Sequence, residues 1–271
     1  MDRALSKVTG PWRIASASVA GTSHKSRGTP GQDAFRAEII EYGGEQILIA
    51  AASDGAGSAR AADVGSRTAV VSVVEQARAW LSTEPPLSAL TRSVMVEWLK
   101  GVREQIADIA AEAEAEMRDY AATLLVTVLG PNYAAFGQIG DGAIVVPTDE
   151  QDWTWIFWPQ HGEYANTTYF VTDNDALEKL EFDAGPRTIM EVAIFSDGLE
   201  AMVLDYRSRA VHQPFFNRMI SPLRQQRATG NAPILSKHLE TYLSSSTVTE
   251  RTDDDITLIL ASRRHFAASE P

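Results

Sequence analysis

The chain contains no cysteine. A disulfide framework is therefore excluded, and so is a thiolate nucleophile; any phosphoester chemistry would have to proceed without a cysteinyl-phosphate intermediate. Long apolar runs are also missing. No window approaches the about 20 apolar residues that a membrane-spanning helix needs, and Met1 to Lys7 lacks the apolar centre of a signal peptide. These absences make the cytoplasm the expected location. Basic residues are outnumbered, 24 Lys and Arg against 36 Asp and Glu, for a formal net charge of -12. An acidic chain offers no basic footprint to a phosphate backbone, so neither nucleic acid nor an anionic membrane is expected as a partner. Several motifs are absent as well. Without a Walker loop or GxGxxG, nothing supports a kinase, ATPase or dinucleotide enzyme, and without HExxH or paired histidines nothing supports zinc. GxSxG is missing too, and the Asp-Gly sites stand too far apart for one calcium-binding EF-hand.

What the chain does have is a composition suited to a sizeable core, 44% hydrophobic and 22% charged over 271 residues. No repeat, linker or low-complexity segment divides it, which predicts one domain over residues 1–271. Strands are expected within Trp12 to Ala20, from Asp33 to Ile40 and from Gln46 to Ser53, the last two joined by a hairpin turn at Glu41 to Glu45. Gly21 to Gly31 reads as a loop. A helix follows from Ala59 to Leu81, its stripe carried by Ala61, Val64, Thr68, Val71, Val74 and Ala77. A second carries Leu90, Val94, Trp98, Val102, Ile106 and Ile109, with Ala110 to Met117 as its polar end. A strand meander covers 122–158, and two further helices are expected at Pro214 to Arg224 and Ile234 to Leu243 before a closing strand, Asp255 to Ala261. Strands in runs and helices in pairs argue for antiparallel sheets packed by helices, an α+β arrangement.

Between them, Gln160 to Gly185 is polar and without a clean period. An irregular segment of this length inside a domain is either a functional flap or a surface loop over a sheet edge.

Carboxylates punctuate the strand ends. The apolar run Ile47 to Ala52 stops at Ser53-Asp54-Gly55-Ala56-Gly57; Ile194-Phe195 runs into Ser196-Asp197-Gly198; and Phe136 to Ile139 runs into Gly140-Asp141-Gly142. Gln32-Asp33-Ala34-Phe35 and Asp253-Asp254-Asp255-Ile256-Thr257 place further carboxylates at strand starts. One Asp-Gly is ordinary turn chemistry. Recurrence at so many strand ends points to a single site assembled by the fold, and oxygen ligands of this kind suit magnesium or manganese.

The order Gln-Asp-Ala-Phe, Ser-Asp-Gly-x-Gly, Gly-Asp-Gly, Ser-Asp-Gly, Asp-Asp-x-Thr resembles the protein phosphatase 2C-like, metal-dependent serine/threonine phosphatases. Gly21-Thr22-Ser23-His24 ahead of Gly31-Gln32-Asp33-Ala34 resembles the bacterial branch in particular, and the likeness runs from about Ala15 to Leu260. It implies a four-layer αββα sandwich, two central antiparallel sheets flanked by helix pairs. It implies hydrolysis of phosphoserine and phosphothreonine by a water that two, or with a third site three, Mn2+ or Mg2+ ions activate. Partners would be phosphorylated proteins, in a signalling role opposing a serine/threonine kinase.

By the same resemblance, Asp54 bridges two ions, Gly55 adds its carbonyl, and Asp197 and Asp254 hold one of them. Asp33 matches an outer position reaching metal-bound water, and Asp141 shares a weaker third ion with Asp197. A slip of one residue would exchange Asp254 for Asp253 or Asp255. The 160–185 segment matches a flap beside the metals.

The chain departs from the pattern in three places. Ala56 replaces a histidine that can protonate the leaving group; Gly28 replaces a phosphate-gripping arginine, with Arg27 beside it as a candidate; and Gln32 replaces a glutamate. His24 could supply the missing acid or simply be a solvated loop histidine. The loss of that histidine keeps two other functions in play: a non-catalytic metal-binding module that recognises phosphoproteins, and a hydrolase of small phosphate esters.

Overall fold

In a strand, successive side chains face opposite ways, so an unbroken apolar run means that both faces are covered. Ile47, Ile49 and Ala51 pack toward a helical layer, while Leu48, Ala50 and Ala52 pack toward a second sheet. All six are buried. That division places the strand in one of two inner layers of a four-layer stack.

The computed structural model describes residues 10–162 and 168–264. In chain order, β1 (Arg13–Val19), α1 (Thr22–Arg27), β2 (Ala34–Tyr42) and β3 (Glu45–Ser53) lead into the long helices α2 (Ala62–Ser82) and α3 (Arg92–Glu112). The strands β4 (Leu124–Leu129), β5 (Ala134–Ile139), β6 (Ala143–Pro147) and β7 (Trp153–Trp155) form the meander. Then come α4 (Ala176–Lys179), β8 (Glu181–Gly185), β9 (Glu191–Phe195) and α5 (Glu200–Val203). The remainder holds the short pair β10 (Leu204–Asp205) and β11 (Ala210–Val211), α6 (Gln213–Gln225), β12 (Gly230–Asn231), α7 (Pro233–Leu243), α8 (Ser246–Thr249) and β13 (Ile256–Ser262).

One sheet has the order β2-β3-β4-β5-β8 and is antiparallel throughout; the other runs β12-β1-β13-β9-β6-β7, antiparallel except for the two-residue edge pair β1–β12. Helices α2 and α3 cover the first sheet, and α6 and α7 cover the second. Between the sheets lie Trp12, Ile14, Leu48, Phe136, Ile194 and Ile259. Each fully buried side chain of this size contributes roughly 1.5–3 kcal/mol. The αββα arrangement is the expected one.

Local details differ from the sequence reading. The first long helix begins at Ala62 rather than Ala59, because the N–H groups ahead of it are taken elsewhere: Ala56 N–H donates to Ala121 O and Ala61 N–H to Asp119 O. Its buried face is Ala69, Val70, Val73, Val74, Ala77 and Leu81, with Val64 and Val71 only half-buried, since the helix meets both β3 and α3. The expected polar end of α3 stops at Glu112, and Glu114 turns the chain with φ 52°. Gly21 to Gly31 contains the short helix α1. The irregular stretch 160–185 includes α4 and the edge strand β8, paired with β5. Its residues Glu163, Tyr164, Asn166 and Thr167 lie outside the described residues.

Candidate active site

The registers bring one set of strand ends together. Ala34 pairs with Ser53, Leu124 with Ile139, Ala143 with Phe195, and Leu258 with Phe195. Asp54, Asp141 and Asp197 leave the ends of β3, β5 and β9, while Asp33 and Asp254 stand just ahead of β2 and β13. All five therefore fall along one rim. One carboxylate oxygen from each of Asp54, Asp141 and Asp197 lies within 4.8 Å of the others. Asp254 joins them in lining a cavity of about 480 Å3, together with Gly55, Ala56, Gly57, Ser58, Thr168, Phe170 and Asp173.

The backbone fixes these positions. Asp54 N–H donates to Thr123 Oγ1 at 2.9 Å, and Thr123 N–H returns a bond to Asp54 O at 2.8 Å. Gly55 lets the start of α2 approach: a Cβ there would stand 2.7 Å from the Ala62 carbonyl oxygen, closer than real contacts allow. Asp33 sits behind the cavity, where its Oδ2 accepts from Ser196 Oγ at 2.7 Å; that hydroxyl in turn accepts from Thr257 N–H at 2.9 Å. Asp33 and Asp54 are also within hydrogen-bonding reach of each other.

Crowding acidic groups in a buried rim opposes their ionisation. Burial, and then the neighbouring Asp33 and Asp197, holds Asp54 well above the ordinary carboxylate range. Asp197 is pushed up to about 9 by burial and by Asp141, Asp254 and Asp33. Burial raises Asp33 to about 6, while bonds from Asp54 and Ser196 oppose the rise. Asp141 and Asp254 are raised too, chiefly by burial. Among the described residues, Oδ1 of Asp33, Asp141 and Asp197 is buried without a hydrogen-bond partner. A protein that tolerates such unpartnered, mutually repelling oxygens at one point has a place for a positive charge. The donors are all oxygens, as hard divalent ions require.

Comparison with known sequences gives the arrangement its family. The sequence pattern of the family described as Protein phosphatase 2C matches residues 20–244. The chain belongs to the protein phosphatase 2C family. It is 34% identical over 253 residues to "Serine/threonine-protein phosphatase 3" of Escherichia coli (strain K12), covering 92% of this chain and 98% of that one. Among solved structures, PppA, "a key regulatory component of T6SS in Pseudomonas aeruginosa", has the same fold with a TM-score of 0.63 at 18% identity, covering 94% of this chain and 99% of that one. The catalytic domain of the serine threonine protein phosphatase PstP, solved in complex with 2 manganese ions, superposes with a TM-score of 0.60 at 15% identity, covering 93% and 98%. As a protein phosphatase 2C member the chain is a metal-dependent phosphatase, and its acidic rim is of the kind that holds Mn2+ or Mg2+.

Of the residues singled out in the sequence, Asp54, Gly55, Asp141, Asp197 and Asp254 line one cavity, with Asp33 behind it. Arg27 closes α1 as an exposed residue and is not in the cavity lining. Asp255 faces away from it: buried, it accepts from Gly21 N–H at 2.6 Å and Gln32 N–H at 2.5 Å, and its Oδ1 lies 2.9 Å from His24 Nδ1. His24 is thus neither a solvated loop histidine nor a free acid, because α1 turns it inward onto Asp255. The sequence reading passed over Glu200, which burial and the Asp141 charge raise to about 8. Its place one turn after Asp197 was the available signal.

Proposed function

We propose that this chain removes phosphate from phosphoserine and phosphothreonine in protein substrates, with the carboxylate rim as its catalytic centre. The observation that carries the reading is the convergence of Asp54, Asp141 and Asp197 from three separate strand ends, where Oδ1 of Asp141 and of Asp197 is buried with no partner among the described residues. Asp54, the Gly55 carbonyl, Asp197 and Asp254 would hold two ions. Asp141 would share a further, weaker ion with Asp197. Bound there, such ions acidify a water and neutralise the phosphoryl oxygens.

The chain's own residues do the rest. Asp33, held by Ser196 and raised by burial to about 6, is placed to exchange a proton with Asp54. The Thr123 clamp keeps Asp54 from moving when charge develops nearby. Thr168, Phe170 and Asp173 form the opposite wall and would meet the residues flanking the phosphate. Ala56 lines the cavity without a side-chain proton donor, at the position where the family pattern often has a histidine. That favours slow turnover of alkyl phosphates unless another group or solvent supplies the proton.

A phosphoprotein substrate implies a serine/threonine kinase acting on the same target, and a bacterial cytoplasm is the setting we assign. Among the described residues no helix is long and apolar enough to cross a membrane.

The test is hydrolysis of p-nitrophenyl phosphate and of a phosphothreonine peptide with Mn2+, with EDTA, and by Asp54→Ala. Manganese-dependent turnover of both substrates, lost in both controls, is expected. Turnover of the small ester alone would overturn the protein-substrate assignment. No turnover with manganese still bound would turn the site into a recognition module.

A further inference from the structure

Asp141 leaves β5 through a turn whose backbone conformation is unusual. Gly140 has φ +112°, and a Cβ there would stand 2.5 Å from the Thr123 side chain. Nothing larger than glycine fits, but glycine alone would leave the turn loose. The looseness is removed from outside. Gly140 N–H donates to Gln160 Oε1 at 2.8 Å, and Gly140 O accepts from Gln160 N–H at 3.1 Å and from Gln138 Nε2 at 3.2 Å. Both peptide groups of the residue before Asp141 are therefore held, largely by one distant glutamine.

That glutamine is itself anchored. Gln160 Nε2 donates to Lys179 O, at the end of α4, at 2.9 Å. Its backbone carbonyl accepts from Thr168 Oγ1 at 2.9 Å, and Thr168 lines the cavity within hydrogen-bonding reach of Asp141. Gln160 thus ties the turn beneath Asp141 to α4 and to the opposite wall. Among the described residues Asp141 Oδ1 has no hydrogen-bond partner, so the direction of this carboxylate depends on Thr168 and on how firmly its backbone is held.

We propose that Gln160 is a positioning residue for Asp141, and that it sets the affinity of the cation Asp141 holds with Asp197. The proposal rests on the reading of Asp141 as a metal ligand. Groups that orient a ligand without touching the metal commonly govern affinity by about 10- to 100-fold. Loss of the Gln160 side chain frees the Gly140 N–H and lets the Asp141 carboxylate swing. Asp54 and Asp254, held by other bonds, keep their places.

The test is calorimetric titration of Mn2+ into the full chain, for the native protein, Gln160→Met and Asp141→Asn, with the EDTA melting midpoint recorded for each. Asp141→Asn is expected to remove the weakest binding event. Gln160→Met, similar in size but without the side-chain bonds to Gly140 and Lys179, is expected to weaken that same event about tenfold while the tighter events stay within about twofold. Should Gln160→Met not fold, Gln160→Asn carries the same expectation, since its shorter arm cannot reach Gly140. Equal weakening of every event, or none in any, overturns the positioning role. If Asp141→Asn abolishes an event that the Gln160 variants leave intact, only the Gln160 proposal fails. If Asp141→Asn changes no event, the metal-ligand reading of Asp141 fails with it.

Discussion

His24 Nδ1 lies 2.9 Å from Asp255 Oδ1, and both side chains are buried. The same carboxylate takes the N–H groups of Gly21 and Gln32, so the segment leading into Asp33 hangs on one acidic side chain. Its neighbour Asp254 instead faces the cavity. The two positions should therefore fail differently. Asp255→Ala strips Gly21 N–H, Gln32 N–H and the buried His24 ring of their shared partner and should cost about 3 kcal/mol or more of stability. Asp254→Ala should leave the metal-free melting midpoint level or higher while Mn2+ affinity collapses. Thermal melting and calorimetry of both variants check this pair.

Replacing Asp54 should separate stability from function. Its ionised form is opposed by burial and by Asp33, Asp197 and Asp254. Asp54→Asn removes that repulsion, so the metal-free protein should melt higher at pH 8, by about 2–4 °C for each kcal/mol relieved. Manganese should no longer raise the midpoint, and turnover should vanish. A lower metal-free midpoint would refute the repulsion argument.

The pH dependence follows from the same groups. Asp33, Asp197 and Glu200 are raised to about 6, 9 and 8 from ordinary values near 4. A group whose folded pKa is raised binds its proton more tightly in the native state. Its contribution is complete below the unfolded value and is lost as pH climbs through the folded one. Metal-free protein should accordingly lose stability steadily between about pH 4 and pH 9. Saturating Mn2+ should flatten that slope, because the ions replace the protons. Melting curves in EDTA and in Mn2+ across this range would show it.

Ala56 lines the cavity at the position where the family pattern often carries a leaving-group acid. Ala56→His should raise kcat on a phosphoserine peptide by roughly tenfold or more, within the range of general-acid effects. On p-nitrophenyl phosphate, whose leaving group needs no proton, the gain should be small. An equal change on both substrates would argue against a proton-transfer role at this position.

The strand ends could be read in the sequence because apolar runs stopping at Asp-Gly carry two signals at once: a buried strand and a polar turn. Ile47 to Asp54 and Ile194 to Asp197 are of this kind, and each runs from a buried strand into the cavity lining. His24 and Asp255 were not legible, since their meaning lies in a contact between residues 231 positions apart. Nor was Gln160, whose role comes from reaching a glycine 20 residues back. A polar side chain with a distant backbone partner leaves no period behind. The edge strand Glu181–Gly185 was hidden for another reason: all five residues are half-buried, so no alternation marks them.

Asp54 follows β3 of one sheet, Asp197 and Asp254 adjoin β9 and β13 of the other, and Asp141 stands where the chain crosses from β5 of the first to β6 of the second. Elsewhere the two sheets meet through side chains such as Leu48, Phe136 and Ile259, a greasy seam with little directional preference. Cations seated among these four aspartates would act as a rivet through that seam. Chelation would then do more than silence the enzyme: it would free the halves to slide, and the rim amides on both sides should begin exchanging with solvent together.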